Sequence, residues 1–476
     1  MANLNRRRFL GTGLAGGALL GFRASSMARV PGVNDAVRVA VIGFNGQGRT
    51  HISSFDKMPG VRLVALCDAD SDVVNREAEK LRAAGKSIET YTDVRKLLES
   101  KEIDAVSTAS PNHWHALIAI WACQAGKDVY VEKPASHNVW EGRKMVEAAR
   151  KYNRVVQVGT QSRSNVALMQ AFAWIREGNL GRIQVARGLC YKRRPSIGKV
   201  AGPQTIPPSV DYDLWCGPAP KGPLMRERLH YDWHWVWPTG NGDLGNQGIH
   251  QMDLARWALG KTELSPRVVS VGGRLGYADD GETPNTQFAV HDYGDSLLIF
   301  EVRGLPTKAG SEEMDKYRMQ SVGHVIECEG GYLTGTTAYD TDGKEIRKFT
   351  EKGESHYENF IRAVRSRNRA DLNAEVLEGH LSSALCHTGN ISYRLGRKAK
   401  PGEILDALKS DRHAAETLDR FQAHFAANGV NLEVTEATLG VLLRMDPKTE
   451  RFIGNDTANE LLTRQHRAPF IVPENV

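Results

Sequence analysis

The residues best suited to acid–base chemistry lie in the segment from Asn246 to Asp253. If this segment is helical, Asn246, His250 and Asp253 stand at positions i, i+4 and i+7 and share one face. His250 is the natural proton-transfer group because imidazole titrates near neutral pH. Asp253 either contacts a substrate or makes a structural hydrogen bond or ion pair, for example with Arg256 at i+3. The spacing therefore predicts an acid–base face centred on His250.

Lys133 is a second candidate catalytic residue. It follows the short apolar run Asp128–Val131, which predicts a buried strand, and it precedes Pro134, which fixes the turn. An ammonium group held in this way can stabilise an alkoxide or, if it is desolvated, help to transfer a proton. A surface lysine at a strand end is the plain alternative. Together, Lys133 and His250 would supply a positive charge and a base.

The segment Gly43–Gly48 has the glycine pattern of a dinucleotide-binding turn. The β-branched run Val37–Ile42 predicts a buried strand that leads directly into it. Such a turn needs glycine where the chain bends tightly, where the backbone meets the pyrophosphate and where the helix packs on the strand. Asn45 replaces the usual second glycine, and asparagine tolerates left-handed backbone better than most residues. The residues predicted to bind the phosphates are Gly43, Asn45, Gly46, Gln47 and Gly48.

Asp68 is the candidate ribose-binding carboxylate. It stands twenty residues after Gly48, at the end of a second predicted strand, Val61–Cys67. A carboxylate in this position accepts hydrogen bonds from the adenosine ribose hydroxyls, although an ordinary helix-capping aspartate has the same spacing. Asp70 adds negative charge that would repel a 2′-phosphate, so NAD is favoured over NADP as the cofactor.

Strands and helices alternate around these motifs. Strands are predicted at Val37–Ile42, Val61–Cys67, Ile103–Ala109, Asp128–Val131 and Val155–Val158, with helices at His113–Gln124 and Val139–Lys151. This order predicts an α/β Rossmann domain, a doubly wound parallel sheet, over residues 35–158. Ligands collect beyond the carboxyl ends of such strands. Two polar clusters at these ends, residues 110–115 and 132–134, should face the nicotinamide half of the cofactor.

Residues 159–400 contain runs of strands with few helices. Strands are predicted at Arg182–Leu189, Val268–Leu275, Ser296–Val302 and Gly323–Cys328, with supporting helices at His356–Arg365 and Glu375–Arg394. This pattern predicts an α+β domain with a large, mostly antiparallel sheet covered on one face. Residues 401–476 form a C-terminal extension with a predicted helix at His413–Ala427 and no catalytic motif.

Four segments resemble the Gfo/Idh/MocA oxidoreductase family, named for glucose–fructose oxidoreductase and inositol dehydrogenase. They are Gly43–Gly48, Pro111–Gly126, Lys127–Pro134 and Gly245–Trp257. The resemblance implies an NAD(P)-dependent enzyme that oxidises a secondary alcohol of a sugar, cyclitol or derivative by hydride transfer. It also implies tightly retained NAD, and a homo-oligomer (dimer or tetramer) formed through the open antiparallel sheet of the second domain.

The resemblance also assigns residues on the nicotinamide side of the cofactor. It implies that Asn112 and His115 contact the nicotinamide ribose or amide, although Asn112 would also suit a helix cap. The residues expected to face this half of the cofactor are Ser110, Asn112, His115, Glu132 and Lys133.

One position departs from the family pattern. Many relatives carry an aspartate four residues before the catalytic histidine, where this chain has Asn246. An amide cannot supply a carboxylate to the substrate hydroxyl or raise the basicity of His250. This departure keeps open a second activity, an NAD-dependent glycoside hydrolase in which oxidation, elimination, hydration and reduction leave no net redox change. A non-catalytic nucleotide-binding scaffold is a third hypothesis, disfavoured because Lys133 and His250 both occur in matching contexts.

Candidate substrate-binding residues lie just ahead of the predicted catalytic helix. The segment Tyr231–Trp237 places three tryptophans within five residues. Aromatic faces stack on sugar rings, so Trp233 and Trp235 form a candidate carbohydrate platform, with core packing as the alternative. Lys192 is a candidate for binding an anionic substituent or is simply a solvated loop residue. Asp253 completes the candidate set.

Residues 1–34 are expected to be a twin-arginine export signal followed by a linker. Arg6, Arg7 and Arg8 precede a glycine-rich apolar stretch, and Ser26–Ala28 offers the small residues of a cleavage site. A disordered basic tail is the alternative. Because this route exports folded proteins, we expect a periplasmic protein whose cofactor is loaded in the cytoplasm.

Composition excludes several other functional classes. Hydrophobic residues make up 41% of the chain and charged residues 25%, as in a globular protein. No segment approaches the roughly 18 consecutive apolar residues of a membrane-spanning helix. Much of the formal charge of +6 comes from the first 28 residues, so no basic patch indicates a nucleic-acid partner. The six cysteines form no C-x-x-C pair, so neither a zinc site nor any other metal site is expected.

Overall fold

The first sheet is parallel throughout. In the computed structural model, which describes residues 36–476, its strands are β1 (Val37–Ile42), β2 (Val61–Cys67), β3 (Glu89–Tyr91), β4 (Ala105–Thr108), β5 (Asp128–Val131) and β6 (Val156–Val158). They are ordered β3-β2-β1-β4-β5-β6. The strand order therefore reverses between β1 and β4, where a ligand crevice opens in such sheets. The predicted Rossmann fold is confirmed, and the predicted export signal lies outside the described residues.

Helices cover both faces of this sheet. They are α1 (Gly48–Asp56), α2 (Ser71–Ala83), α3 (Val94–Glu99), α4 (His115–Gln124) and α5 (Val139–Lys151). Side-chain caps begin three of them, because the side chains of Asp70, Asp93 and Asn138 accept hydrogen bonds from the backbone N–H groups of Asp72, Arg95 and Glu141. Strand β3 was not predicted, since three largely exposed residues at the sheet edge show no apolar run.

A second, larger sheet follows a connecting helix, α6 (Val166–Arg176). Its first eight strands are β7 (Ile183–Tyr191), β8 (Arg267–Gly273), β9 (Thr286–Asp292), β10 (Leu297–Arg303), β11 (Val322–Cys328), β12 (Gly331–Thr334), β13 (Thr337–Tyr339) and β14 (Glu345–Lys348). All pairings in this sheet are antiparallel except that between β7 and β10. The predicted α+β domain with a large, mostly antiparallel sheet is confirmed.

The connection from β7 to β8 contains three helices, α7 (Tyr212–Cys216), α8 (Gly242–Gly245) and α9 (Gly248–Leu259). Helix α9 lies against the inner face of the second sheet, where Ile249, Met252 and Ala255 share a core with Phe300. The approach is close at Gly188 of β7, where a Cβ atom would lie 2.5 Å from the Phe300 ring and 2.9 Å from the backbone oxygen of Gln251. This packing directs the amino end of α9 toward the first sheet.

The remaining elements either extend the second sheet or pack against one of the two sheets. They are α10 (His356–Ser366), α11 (Val376–Arg394), β15 (Arg397–Ala399), α12 (Pro401–Leu408), α13 (Arg412–Ala427), β16 (Ala437–Leu439), β17 (Leu443–Asp446), β18 (Arg451–Phe452) and α14 (Asp456–Glu460). Strand β16 pairs with both β8 and β15, and β17 pairs with β8 and β18. A domain boundary at residue 400 therefore divides paired strands, and the extension is part of the second sheet.

Helix α10 corrects one sequence expectation. Its apolar face was assigned to the second sheet, but Phe360, Ile361 and Val364 pack in the core of the first sheet with Val39 and Val41. Helix α11 does lie against the second sheet and also contacts α5. Helical periodicity shows that one face is apolar without showing which sheet receives it.

The outer face of the second sheet is also covered. Leu418 and Phe421 of α13 pack with Phe288 and Val290 of β9, with the Phe288 and Phe421 ring centroids 5.3 Å apart. The sheet thus carries helices on both faces, whereas the sequence predicted cover on one. Helix α13 occupies the face that the family resemblance assigned to a subunit interface.

The last residues of the chain return to the first domain. Phe470 packs edge-on to the ring of Trp114 at 5.3 Å between ring centroids. Arg467 also donates a hydrogen bond at 2.8 Å to Asp213 of α7, in the connection from β7 to β8. Among residues 36–476, no helix combines the length and the apolar character needed to cross a membrane.

Candidate active site

A cleft of about 440 Å³ lies at the carboxyl ends of the first-sheet strands and extends to the amino end of α9. Most residues that the sequence singled out line it together. They are Gly43, Asn45, Gly46, Gln47, Asp68, Ser110, Asn112, His115, Glu132, Lys133, Trp233, Asn246 and His250. Of the other four, Gly48 lies in the wall behind the turn, and Asp253, Trp235 and Lys192 are placed differently from expectation.

The glycine turn has the shape that a pyrophosphate requires. Gly43 has φ +72°, and a Cβ atom there would lie 2.6 Å from the backbone nitrogen of Ser110. A Cβ atom on Gly48 would lie 2.8 Å from Cβ of Phe44, so this glycine lets α1 pack closely on the turn. At Gly46 nothing lies within 4 Å of the Cβ position, which leaves open space at the start of α1. The Asn45 side chain accepts a hydrogen bond from Arg49 at 3.2 Å.

Asp68 is held at the end of β2 by backbone donors. Its carboxylate accepts hydrogen bonds from the N–H groups of Phe44 (3.0 Å) and Asp70 (3.1 Å), while burial raises its pKa. The imidazole of His230 lies 3.0 Å from Asp70, so a histidine from the second domain closes this end of the cleft. The geometry fits an adenosine ribose, and the glycine turn beside it fits the attached pyrophosphate.

A covering segment, residues 207–240, lies over this half of the cleft. Val210 forms a backbone bridge with Asp70, and the backbone N–H of Ser71 donates to the carbonyl of Ser209 at 2.9 Å. On the opposite wall, the Trp114 indole donates to the Trp215 carbonyl at 3.2 Å. The cleft beside the glycine turn is therefore roofed by chain that runs from β7 to α8.

Lys133 lies at the centre of the cleft and donates a hydrogen bond to the backbone carbonyl of Asn246 at 3.0 Å. Burial lowers the pKa of this lysine, and the nearby carboxylates of Glu132 and Asp243 oppose that effect. The ammonium group is thus held on a fixed acceptor, with its remaining protons directed into a partly buried site.

Glu132 is a buried carboxylate with three donors. It accepts hydrogen bonds from Nε2 of His51 (3.1 Å), the amide of Gln161 (2.9 Å) and the backbone N–H of Lys133 (3.1 Å). Burial alone would raise the pKa of Glu132, but the hydrogen bond from His51 and nearby positive charge, that of Lys133 included, lower it to about 2. His51 is positioned in turn by the Ser107 hydroxyl at 2.8 Å. Glu132 therefore remains charged beside Lys133.

His250 lies in the first turn of α9, and its imidazole has no hydrogen-bond partner among the described residues. Burial, followed by the charge of Lys133, lowers its pKa to about 4. The ring is therefore neutral near pH 7 and able to accept a proton.

Asn246 is not on the helix that carries His250, which corrects the predicted arrangement. Helix α8 ends at Gly245, Asn246 has φ −85° and ψ −89°, and α9 begins at Gly248. The break lets Asn246 offer its backbone oxygen to Lys133, an interaction that helical spacing does not predict.

Asp253 lies away from the cleft, in a buried ion pair. Its carboxylate accepts hydrogen bonds from Nε (2.8 Å) and Nη2 (2.8 Å) of Arg163 and from the Ser382 hydroxyl (2.6 Å). Arg256, the partner that the sequence suggested, is more distant at 3.9 Å. The structural interpretation of Asp253 therefore replaces the substrate-binding one.

The two candidate tryptophans of the segment Tyr231–Trp237 lie in different environments. Trp233 lines the cleft, whereas Trp235 is only 5% exposed and lies beneath the guanidinium of Arg194. Lys192 is exposed at the rim and donates to the side chain of Gln247 at 3.2 Å. Trp235 is thus a packing residue, and Lys192 lies next to the cleft lining.

Several cleft residues belong to no motif that is recognisable in the sequence. They are Gln161, Trp215, His230, Tyr231, His234 and Gln247. The segment Tyr231–Trp237 was noticed for its tryptophans alone, although it also contains Tyr231 and His234. The only available signal was their proximity to the tryptophan run.

Two family models match the chain. The NAD-binding Rossmann fold of the Gfo/Idh/MocA oxidoreductase family matches residues 37–160, and the family's C-terminal alpha/beta domain matches residues 180–299. Together the two matches span just over half of the chain. The chain belongs to the Gfo/Idh/MocA oxidoreductase family. Residues 37–160 are therefore the NAD-binding Rossmann domain of this family.

Curated relatives carry two kinds of name. A levoglucosan dehydrogenase of Pseudarthrobacter phenanthrenivorans is 28% identical over 285 residues, 56% of this chain and 64% of the relative. A glycosyl hydrolase family 109 protein of Saccharopolyspora erythraea is 31% identical over 161 residues, 33% of this chain and 35% of the relative. An alpha-N-acetylgalactosaminidase of Shewanella oneidensis is 29% identical over 206 residues, 38% and 45% of the two chains. The chain spans less than two thirds of the length of each.

Solved structures of similar fold include a WlbA dehydrogenase of Bordetella pertussis in complex with NADH and UDP-GlcNAcA. It has a TM-score of 0.55 and 22% identity, covering 74% of this chain and 94% of that one. GenD2 from gentamicin A biosynthesis, in complex with NAD, has a TM-score of 0.53 and 19% identity, covering 74% and 92%. These likenesses establish that the two-domain fold is shared.

Proposed function

We propose that this protein is an NAD-dependent oxidoreductase that oxidises a secondary alcohol of a sugar, a cyclitol or a derivative. The observation that carries the proposal is the meeting of Lys133 and His250, from different domains, in the cleft that begins at the glycine turn. The sugar-related names of the dehydrogenase relatives support the substrate class.

Each of four cleft residues has a separate role in the oxidation of an alcohol. A bound nicotinamide would accept the hydride from the carbinol carbon. His250, neutral near pH 7, takes the hydroxyl proton, and the ammonium of Lys133 stabilises the negative charge that develops on the oxygen. Glu132 keeps Lys133 in place and charged, and Trp233 offers an aromatic face to the ring of the substrate.

We also propose that the cofactor is NAD and that it is retained through turnover. Asp68 lines the cleft and Asp70 lies next to it, and their negative charge would repel a 2′-phosphate, which supports NAD over NADP. The covering segment would hinder release because its backbone bridge to Asp70 must open before the nucleotide can leave.

The test of the oxidoreductase function compares the single variants Lys133→Ala and His250→Ala with wild type. We expect turnover of a free sugar to fall at least 100-fold in each, about the value of a lost acid–base or electrostatic group, with nucleotide binding nearly intact. His413→Gln, a change outside the cleft, is the matched control and should retain wild-type turnover. Wild-type rates in the Lys133 and His250 variants would refute the assignment.

A second candidate function is a glycoside hydrolase that uses NAD without net redox change. Asn246 replaces the aspartate of many dehydrogenase relatives, and several curated relatives are glycosyl hydrolase family 109 proteins. Release of the phenol from a chromogenic aryl glycoside, without accumulation of reduced nicotinamide, would favour this function. Stoichiometric accumulation of reduced nicotinamide with a free sugar would favour the dehydrogenase.

Export by the twin-arginine route to the periplasm remains a proposal supported by the first 34 residues of the sequence. Replacement of Arg6 and Arg7 by lysine should retain the protein in the cytoplasm, as measured by cell fractionation. An unchanged periplasmic fraction in that variant would contradict export by this route.

A further inference from the structure

Besides His115 and His230, whose Nε2 atoms contact protein groups, the cleft holds two imidazoles, and oxidation of an alcohol leaves one of them, that of His234, without a role. It lies in a single turn of 3₁₀ helix, Asp232–Trp235, and lines the cleft with Lys133 and His250. Alcohol oxidation needs one base for the hydroxyl proton, and His250 fills that role. The presence of a second neutral imidazole therefore requires additional proton-transfer chemistry or a purely structural explanation.

The hydrogen bonding of His234 defines which nitrogen can act as a base. Its Nδ1 contacts the backbone carbonyl of Tyr231, and a carbonyl only accepts hydrogen bonds, so Nδ1 carries the proton. The other nitrogen, Nε2, therefore holds the lone pair. The ring stacks on Trp233 with 3.6 Å between ring centroids, which fixes its plane. Burial lowers the pKa of His234 to about 3, so the ring is neutral near pH 7.

Hydrogen bonds from residues outside it fix the turn Asp232–Trp235. The Trp235 carbonyl accepts hydrogen bonds from the backbone N–H groups of Glu282 (2.8 Å) and Thr283 (3.2 Å). The Thr239 hydroxyl donates to the carbonyl of Trp233 at 2.9 Å. Tyr231, which begins the turn, has φ 86° and ψ −53°, a strained conformation for a residue with a side chain. Such strain persists where the surroundings impose it, often at functional sites.

His234 and His250 line the cleft that contains Lys133, and they belong to different elements. His250 belongs to α9 and feels the charges of Glu132 and Asp253, whereas His234 belongs to the covering segment and feels that of Asp243. The charge of Lys133 acts on both rings. A substrate in this cleft would therefore meet two neutral imidazoles, one on α9 and one on the covering segment.

We propose that His234 is the catalytic base of an elimination step on a glycoside whose ring has first been oxidised. The proposal rests on the second candidate function, the NAD-dependent glycoside hydrolase. It specifies the substrate class, a glycoside with a free secondary hydroxyl two carbons away from the anomeric carbon. Oxidation there acidifies the C–H group that lies between the new carbonyl and the anomeric carbon.

The elimination expels the aglycone, and a later addition of water replaces it. His234 Nε2 takes the proton of that C–H group, its electron pair becomes a C=C bond, and the bond from the anomeric carbon to the aglycone oxygen breaks. The proton passes from His234 to this oxygen, so the aglycone leaves as an alcohol. Water then adds across the double bond, its oxygen joining the anomeric carbon and its proton returning to the neighbouring carbon through His234. Reduction of the carbonyl restores the sugar, so one water is consumed and one alcohol is released.

The test uses the full-length protein with bound NAD, a chromogenic aryl glycoside and deuterated water. Three quantities are measured: release of the phenol, deuterium at the ring carbon next to the anomeric carbon, and single-turnover reduction of the bound nicotinamide. In His234→Gln and His234→Asn we expect phenol release and deuterium incorporation to fall about 100-fold or more, the usual range for a lost acid–base group. Reduction of the nicotinamide should fall far less, whereas His250→Gln should lose all three.

Each contrary outcome has a distinct meaning. Phenol release at the wild-type rate in both His234 variants would overturn the role of His234 and leave the hydrolase function intact. An equal loss of reduction, exchange and release would assign His234 a structural role and also overturn the proposal. If the wild type reduces the nicotinamide but neither releases phenol nor incorporates deuterium, the hydrolase function itself fails. NAD content after purification and the control His413→Gln separate these outcomes from misfolding.

Discussion

At the residue scale, the electrostatics of the site depend on buried neighbours of Lys133. Glu132 is kept charged by three donors, and that charge opposes the loss of the lysine proton that burial would otherwise favour. His51 is the donor contributed from farthest away along the chain, since it lies on α1 behind the cleft. The charge of the catalytic lysine is thus maintained by residues that never touch a substrate.

The substitution His51→Ala tests whether the hydrogen bond from His51 keeps Glu132 charged beside Lys133. Removal of a hydrogen bond to a buried carboxylate should lower the free energy of unfolding by about 1.5–3 kcal/mol. Because Glu132 would then ionise less readily, activity should also begin to fall at a higher pH than in wild type. Urea denaturation and pH–rate profiles measure the two effects. His413→Ala, which removes a histidine outside the cleft, is the control and should leave the pH–rate profile unchanged.

The pH dependence of kcat/KM provides a second test at this scale. His250 acts as a base only when neutral, and its pKa of about 4 places the loss of activity near pH 4 rather than near the ordinary histidine value. Burial lowers the pKa of Lys133, so the loss on the alkaline side should come below the ordinary lysine range. An acid limb near pH 6.5 would indicate that His250 is not the base.

At the element scale, turns and helix ends position the reactive groups. The β1–α1 turn approaches Ser110 so closely that only glycine fits at Gly43, and the break between α8 and α9 releases Asn246 from the helix. The turn Asp232–Trp235 carries His234 into the cleft from the covering segment. The irregular backbone between helices and strands therefore determines which groups enter the site.

The glycine turn allows a paired prediction. Gly43→Ala would place Cβ 2.6 Å from the Ser110 backbone at a φ that costs roughly 1–2 kcal/mol for other residues, so both stability and NAD binding should fall. Gly46→Ala meets no protein atom within 4 Å, so it should leave stability nearly unchanged while weakening NAD binding. Thermal unfolding and nucleotide titration distinguish the two variants. Gly402→Ala, also in open space, is the control and should bind NAD normally.

At the scale of the whole molecule, the C-terminal extension closes the second sheet. Helix α13 buries Leu418, Phe421 and Phe425 against the outer face, and the chain end then packs on the first domain beside Trp114. The family resemblance implied a homo-oligomer formed through this face. Because the chain covers the face itself, we expect any oligomer to use a different surface.

The role of α13 can be tested by two kinds of variant. Phe421→Ala should cost about 3–5 kcal/mol of stability, because Phe421 is only 3% exposed and packs on Phe288. Charge reversal at Asp419, which is exposed on the outer side of α13, should leave the molar mass in solution unchanged. Light scattering and denaturant unfolding provide the measurements. A change of mass in the Asp419→Arg variant would place a subunit contact on this helix.

Much of the first domain and its half of the site followed from local patterns. The strands at Val37–Ile42, Val61–Cys67 and Asp128–Val131 were predicted with the bounds that the structure has, because buried parallel strands are continuous apolar runs. The residues that follow such strands collect at one edge of the sheet, so Asp68 and Lys133 were expected to share a cleft. Local sequence was sufficient here because the backbone path alone brings these residues together.

Tertiary structure decided the features whose partners are distant along the chain. Asp253 pairs with Arg163, α10 packs on the first sheet, and α13 covers the second, none of which leaves a pattern within its own segment. His234 entered the site for the same reason, since its position depends on a covering segment anchored to Glu282 and Thr283. The sequence by itself determined the strands, the glycine turn and the residues at strand ends, because these depend on backbone geometry over a few residues. Long-range packing determined which remaining polar side chains became buried ion pairs and which reached the cleft.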